Sequence, residues 1–128
     1  MKILEENDCL RFWEEDHIIC YTYKQPVVDL KIAKDSVLMR YRVTNNQPCL
    51  VFGDLENVKS VTREARDYYT CEDAENLVTA AAVLTPTIIT KIIATFFLNF
   101  NKPKVPFKMF SSKEKAFEWL LEFKDRIN

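Results

Sequence analysis

The feature that most constrains the fold of this chain is the alternation of β-forming and helix-forming segments along its length. Two β-forming runs at residues 10–14 and 18–23 flank a short polar turn and predict a hairpin. Helical patterns then alternate with strand-like runs at residues 49–54, 79–84 and 105–110. Because strands separated by helices pair in parallel through right-handed crossovers, we predict an α/β fold. Its mixed, mostly parallel sheet should hold about five strands, with an N-terminal β-hairpin and about four helices.

The length of 128 residues is that of one domain. We therefore expect a single domain over residues 1–128, with residues 1–9 as a flexible N-terminus. Residues 49–54 are continuously apolar up to Asp54, which predicts a central strand buried on both faces.

Capping and breaking residues set the expected limits of several elements. Asp29 and Thr62 are side chains that cap helix N-termini. Thr85–Pro86 is typical of a helix start, and Ser111–Glu114 of a capping box. Pro106 indicates an edge position for the last strand, since proline has no N–H to donate. The last helix is expected to present an apolar face made of Ala116, Leu120, Phe123 and Ile127.

The chain contains one glycine and one histidine, which excludes several kinds of site. A phosphate-binding loop needs several glycines, so Gly53 alone cannot build one. Catalysis by an imidazole would have to use His17, which we interpret as an exposed turn residue. Asp54 and Glu56 have no base or metal ligand near them in sequence. We therefore expect no catalytic residue, no metal site and no cofactor.

Charge and cysteine usage narrow the possible partners and the compartment. Lys+Arg 18 against Asp+Glu 19 gives a net charge of -1, whereas a nucleic-acid binder normally has a basic excess. None of the cysteines has a C-x-x-C spacing; they are Cys9, Cys20, Cys49 and Cys71. Such residues are typical of free thiols in a reducing cytoplasm. Residues 1–8 lack the apolar core of an export signal, and Pro86 and Lys91 interrupt the apolar stretch 77–100. We expect a cytoplasmic protein without a transmembrane segment.

The most informative stretch is the apolar stripe between Ile88 and Phe100. Ile88, Ile92 and Phe96 share one line along the predicted helix, and a second line lies about 100° away. Packing on a sheet would bury one line. A neighbouring helix, a second subunit or an apolar ligand could cover the other. The candidate apolar interface or ligand surface consists of Ile89, Ile93, Phe96, Phe97 and Phe100.

Nearly the whole chain resembles the SpoIIAA-like (STAS) fold of the anti-sigma factor antagonists. The likeness is closer to small bacterial proteins of unknown function placed beside that fold and beside the lipid-exchange domain of yeast phosphatidylinositol-transfer protein. It is carried by residues 50–66, by residues 80–97 with Asn101-Lys102-Pro103, and by residues 110–120.

This resemblance implies a bacterial regulatory or protein-interaction module that is not an enzyme and that self-associates, as a homodimer. In the antagonists, the loop after the central strand carries an Asp-Ser pair whose serine is phosphorylated, and Thr62-Arg63 stands at that position here. The loop remains a candidate interaction surface made of Asp54, Glu56, Ser60, Thr62 and Arg63. The lipid-exchange relatives imply an alternative, a carrier or sensor of a small apolar or lipid-like ligand.

Overall fold

The computed structural model describes residues 1–126, and it contains eight strands. In chain order they are β1 (Lys2–Glu6), β2 (Leu10–Glu15), β3 (Ile18–Tyr23), β4 (Val27–Val28), β5 (Cys49–Asp54), β6 (Ser60–Val61), β7 (Val78–Leu84) and β8 (Phe107–Phe110). Strands β4 and β6 form a separate parallel pair. The other six form one sheet in the order β1-β2-β3-β5-β7-β8. Its first three strands are antiparallel, and β3, β5, β7 and β8 pair in parallel.

Helices cover both faces of the sheet. They are α1 (Leu30–Val43), α2 (Arg63–Tyr69), α3 (Glu72–Glu75), α4 (Ile88–Phe96) and α5 (Lys113–Leu121). A wider π-type turn, Phe97–Asn101, follows α4, and a 3₁₀ turn, Lys124–Arg126, follows α5. Helix α5 packs on one sheet face, while α1, α2 and α4 pack on the other. The predicted fold class is confirmed.

Strand β5 shows why its sequence is continuously apolar. Leu50 and Phe52 point towards α5, whereas Cys49 and Val51 belong to the core on the opposite face. Successive side chains of a strand alternate between faces, so a strand with helices on both sides needs an apolar residue at every position. The continuous apolar run of β5 thus follows from its central position in the sheet.

The N-terminus differs from the prediction of a flexible segment over residues 1–9. Strand β1 pairs with β2 and supplies the sixth strand of the sheet. Its acidic residues find cations on neighbouring elements: Glu6 pairs with Arg11 at 3.0 Å and with Lys24 at 2.9 Å. Glu5 pairs with Arg42 of α1 at 2.6 Å. Residues 2–6 therefore form an ordered edge strand of the sheet.

The starts of two helices also differ from the prediction. Thr85 is fully buried at the end of β7, where its backbone N–H donates to the carbonyl of Phe110 at 2.9 Å. The N-cap of α4 is Thr87, which accepts from the N–H of Thr90 at 3.1 Å and forms a capping box with it. Ser112 caps α5 by accepting from Lys115, so Glu114 stands too early for the predicted box.

Two turns use a left-handed backbone without glycine. Asp16 and His17 connect β2 to β3 with φ of 53° and 65°. This pattern is typical of a two-residue hairpin turn. Asn45 and Asn46 adopt φ of 51° and 58° after α1, a region that asparagine tolerates better than most residues with a Cβ. Pro106 precedes β8, which is an edge strand as expected. The predicted position of Ile127 lies outside the described residues.

Candidate functional site

An apolar cavity of about 140 Å³ lies between the sheet and helices α1, α2 and α4. Tyr21, Val51 and Ala81 line it from the sheet, and Ile93 and Phe97 line it from α4 and the turn that follows. Apolar cavities of about this size can stay dry and take up one benzene-sized molecule. The cavity is therefore large enough for the apolar part of a small ligand.

Small residues make room for this cavity. Ala81 of β7 and Ala94 of α4 line it with single methyl groups. Gly53 lies opposite Tyr21 in the pairing of β3 with β5. A Cβ at Gly53 would stand 2.9 Å from both Cζ and Oη of Tyr21, so the missing side chain lets the Tyr21 ring lie over β5. The only glycine of the chain thus places an aromatic ring in the cavity wall.

Hydroxyl groups form a short network at one side of the cavity. The hydroxyl oxygens of Tyr23 and Tyr69 are 2.6 Å apart, and the Ser36 hydroxyl lies 2.7 Å from that of Tyr69. Ser36 also donates to the carbonyl of Ala33 at 2.7 Å. Burial raises the pKa of Tyr69 far above its usual range and raises the pKa of Tyr23 as well. The network is therefore uncharged at neutral pH.

Two arginines complete the wall. Arg40, on α1, is 5% exposed, and its Nη2 donates to the carbonyl of Ala74 at 3.1 Å. Arg66, on α2, donates through Nη1 to the carbonyl of Val61 at 3.1 Å. Two of their buried nitrogens, Nη1 of Arg40 and Nε of Arg66, have no partner among residues 1–126. The Arg66 guanidinium lies over the Phe96 ring, 4.7 Å from its centre. Neither arginine forms an ion pair within residues 1–126.

The sequence-predicted apolar surface divides between this cavity and the solvent. Ile93 and Phe97 line the cavity, whereas Ile89, Phe96 and Phe100 are exposed. The prediction that one apolar line of the helix would be buried on the sheet is wrong, because Thr90 and Ala94 are the buried residues of α4. The outward side of α4 and its turn carries large apolar side chains with exposures of 76% for Ile88, 49% for Ile89, 63% for Ile92, 42% for Phe96 and 70% for Phe100. We call this set the outer face of α4.

The predicted interaction loop lies at the carboxyl end of β5 and runs into α2. The Asp54 carboxylate accepts from the N–H of Glu56 at 3.0 Å, and partial burial raises the pKa of Asp54. Ser60 and Arg63 are exposed. The Thr62 hydroxyl accepts from the N–H of Ala65 at 3.2 Å, which confirms its predicted role as a helix cap.

Glu75 lines the cavity, whereas His17, Cys20 and Cys49 are not among its lining residues. His17 is exposed in the β2–β3 turn, beside a shallow depression that also includes Asp16 and Cys49. Burial raises the pKa of Cys20 to about 12 and raises the pKa of Cys49. Within residues 1–126, no group of three or more His, Cys, Asp or Glu side chains is placed to hold a metal ion. In the same part of the chain, no helix has the length and apolarity that a membrane crossing requires.

Sequence reasoning missed Tyr21, Gly53 and Arg40 as parts of one site. Two features of the sequence indicated that these residues are unusual. A glycine inside a buried strand marks a close approach of another group, and Gly53 marks the Tyr21 ring. Arg40 follows Ala33 and Val37 on the apolar side of α1, where a charged residue is unexpected.

Comparisons with known proteins identify the fold. Residues 12–124 match the model of a family described as a domain of unknown function, DUF7793. The chain is also similar to the crystal structure of an uncharacterized protein of the DUF3478 family with a SpoIIAA-like fold, from Shewanella loihica PV-4. The two are 11% identical, with a TM-score of 0.63 over 87% of this chain and 91% of that chain. At this identity the likeness establishes the fold alone, and it confirms the predicted resemblance. No curated protein matches the chain.

Proposed function

Since the chain belongs to the DUF7793 family, a domain of unknown function, we propose from its geometry that it is a non-enzymatic protein that binds a small apolar molecule beside α4, as its carrier or sensor. The observation that carries this proposal is the cavity between the sheet and α1, α2 and α4. The alternative function inferred from the sequence requires such a cavity next to the stripe of Ile88 to Phe100. Ile93 and Phe97 of that stripe are part of its wall.

The chemistry of the wall supports binding rather than catalysis. Its groups are mainly aromatic and aliphatic carbons, which favour apolar atoms over water. The tyrosine hydroxyls nearby have raised pKa values, so they do not supply a base near neutral pH. His17 lies apart from the cavity lining, exposed in a turn.

The apolar wall also favours an apolar ligand energetically. Each CH₂ group that a ligand moves from water into this site contributes about 0.8 kcal/mol. The ligand also gains dispersion contacts with the aromatic and aliphatic side chains of the wall.

Methyl NMR of the full chain tests the proposal, with toluene as the probe. We expect the methyl signals of Ile93 and Val83, which line the cavity, to shift and saturate as toluene is added. Ile88 is the internal control, because its side chain lies on the outer face of α4. Shifts at Ile88 without shifts at Ile93 would refute an internal site. Native mass spectrometry of the purified protein should also reveal a retained ligand.

The outer face of α4 favours a second function, contact with another protein, including self-association. Contiguous apolar patches on soluble monomers rarely exceed a few hundred Å², and larger ones mark interfaces. A homodimer would place the outer faces of two copies against each other around a twofold axis. The polar loop from Asp54 to Arg63 stays a predicted contact surface for a protein partner.

Sedimentation of the wild type and two variants tests self-association. We expect a concentration-dependent dimer that Ile92→Glu converts to a monomer, because the charge would be desolvated in the interface. Leu38→Glu is the matched control, since Leu38 is 54% exposed on a different helix, α1. A wild type that is monomeric at every concentration, or equal effects of both variants, would contradict the dimer.

A further inference from the structure

Arg40 places a positive charge in the wall of a mainly apolar cavity. It is 5% exposed, and within residues 1–126 only one of its terminal nitrogens has a hydrogen-bond partner, the neutral carbonyl of Ala74. Transferring a charged group out of water costs several kcal/mol unless it is paired and hydrogen-bonded. Within residues 1–126, Arg40 is therefore a buried cation that stacks on the Tyr41 ring, 4.6 Å from its centre, and pairs with no carboxylate.

The neighbouring groups of residues 1–126 do not supply the missing negative charge. The Cys49 thiol lies beside Arg40, but burial raises its pKa, so it stays neutral near pH 7. Glu75 also lines the cavity, yet its carboxylate accepts from the backbone N–H of Lys104 at 2.9 Å and forms no ion pair with Arg40. The hydroxyls of Ser36 and Tyr69 bond to each other.

We propose that the cavity binds a small apolar carboxylic acid, with its carboxylate paired to the guanidinium of Arg40 and its alkyl or aryl body against Ala81, Ile93 and Phe97. This inference rests on the proposed function and names the class of ligand. A monoanion fits better than a phosphate, because within residues 1–126 the unpartnered buried donors of the wall are Nη1 of Arg40 and Nε of Arg66, which cannot satisfy three strongly hydrated oxygens. Since Nη1 is buried, the proposed ion pair requires the guanidinium to turn towards the ligand.

Titration of the ligand-stripped full chain with hexanoate and with 1-hexanol tests the inference, using the methyl signal of Ile93 as the readout. The two probes have similar bodies and differ in charge. Hydrogen bonds to charged groups contribute about 1.5–3 kcal/mol, so hexanoate should bind the wild type roughly tenfold or more tightly than hexanol. Arg40→Met should reduce hexanoate affinity to that of hexanol. Arg42→Met, on an exposed arginine of the same helix, should change neither affinity.

The outcomes separate the two proposals. Binding of toluene or hexanol without any preference for hexanoate overturns the carboxylate inference and leaves the apolar site standing. Absence of binding by toluene, hexanol and hexanoate overturns both. Arg66→Met distinguishes the two arginines of the wall, and loss of the preference in this variant alone would overturn the assignment to Arg40. If Arg40→Met fails to fold, Arg40→Lys keeps the charge but loses the planar guanidinium, so it should lower the hexanoate preference. A preference equal to that of the wild type in this variant would overturn the assignment to Arg40.

Discussion

Substitution of Ala81 by a larger residue tests whether the cavity can accommodate additional atoms. A side chain that fills free space raises the free energy of unfolding, whereas one that overpacks the core lowers it. Ala81 lines the cavity from β7, and Ala81→Leu adds three carbon atoms there. Burying them contributes about 0.8 kcal/mol each, roughly 2 kcal/mol in all. Ordering a leucine side chain costs about 0.5–1 kcal/mol. We therefore expect the free energy of unfolding to rise by about 1–1.5 kcal/mol, which raises the melting temperature by roughly 4 °C.

The adjacent residue provides a matched control. Ala80 lies on the same strand but faces α5, where it is fully buried among Leu50, Ala116 and Leu120. The same substitution there overpacks a filled core and should lower the free energy of unfolding by about 1–3 kcal/mol. Urea denaturation monitored by tryptophan fluorescence measures both variants.

The same pair of variants also reports on binding. Ala81→Leu should abolish the toluene-dependent shift of the Ile93 methyl group, since the side chain takes the place of the ligand. Ala80→Leu should keep this shift at any temperature where the variant is folded. Destabilisation of both variants to a similar extent would refute the existence of a usable cavity at Ala81.

Further predictions concern the hairpin turn, the lone glycine and one ion pair. His17→Gly should raise the free energy of unfolding by about 1 kcal/mol, because the φ of 65° at His17 is costly for a residue with a Cβ; a lower urea midpoint would contradict this. Gly53→Ala should lower the midpoint, because the new Cβ would stand 2.9 Å from the Tyr21 ring, and combining it with Tyr21→Ala should give a loss smaller than the sum of the two single losses. Lys113 donates a hydrogen bond to the Glu15 carboxylate at 2.9 Å and lowers the pKa of Glu15 below its usual 4.5. The pair therefore adds to the free energy of unfolding above pH 4.5, and this contribution is lost as the pH falls through the pKa of Glu15 in the folded protein. Lys113→Met should weaken this pH dependence in urea midpoints measured across the acidic range, and an unchanged dependence would count against the pair.

The sheet and most helices could be predicted because local sequence determines them. Asp29 and Thr62 cap α1 and α2 as expected, since capping depends only on a side chain and the next few backbone N–H groups. Strand β5 was equally clear from its continuous apolar run. Strand β1 was not, because its stability depends on pairing with β2 and on cations that are distant in sequence.

The orientation of α4 could not be predicted from its apolar stripe. The pattern shows where apolar side chains lie around the helix axis, but not how much depth the sheet leaves beneath it. Thr90 is fully buried there, and its burial costs little because its hydroxyl bonds within the turn to Thr87. Arg40 escaped notice for a similar reason, since charged residues of an amphipathic helix are expected to face water.

Helix α4 connects the two proposed functions physically. Ile93 and Phe97 form part of the cavity wall, while Ile92 and Phe100 belong to the outer face of the same segment. A ligand that shifts the backbone of α4 at Ile93 or Phe97 would therefore also move the residues that a second copy would contact. Such a coupling is reciprocal. If the ligand raises the dissociation constant of the dimer by a given factor, the dimer binds the ligand more weakly than the monomer does by the same factor. Measuring the dimer dissociation constant with and without toluene therefore determines whether the cavity and the outer face of α4 are coupled or independent sites.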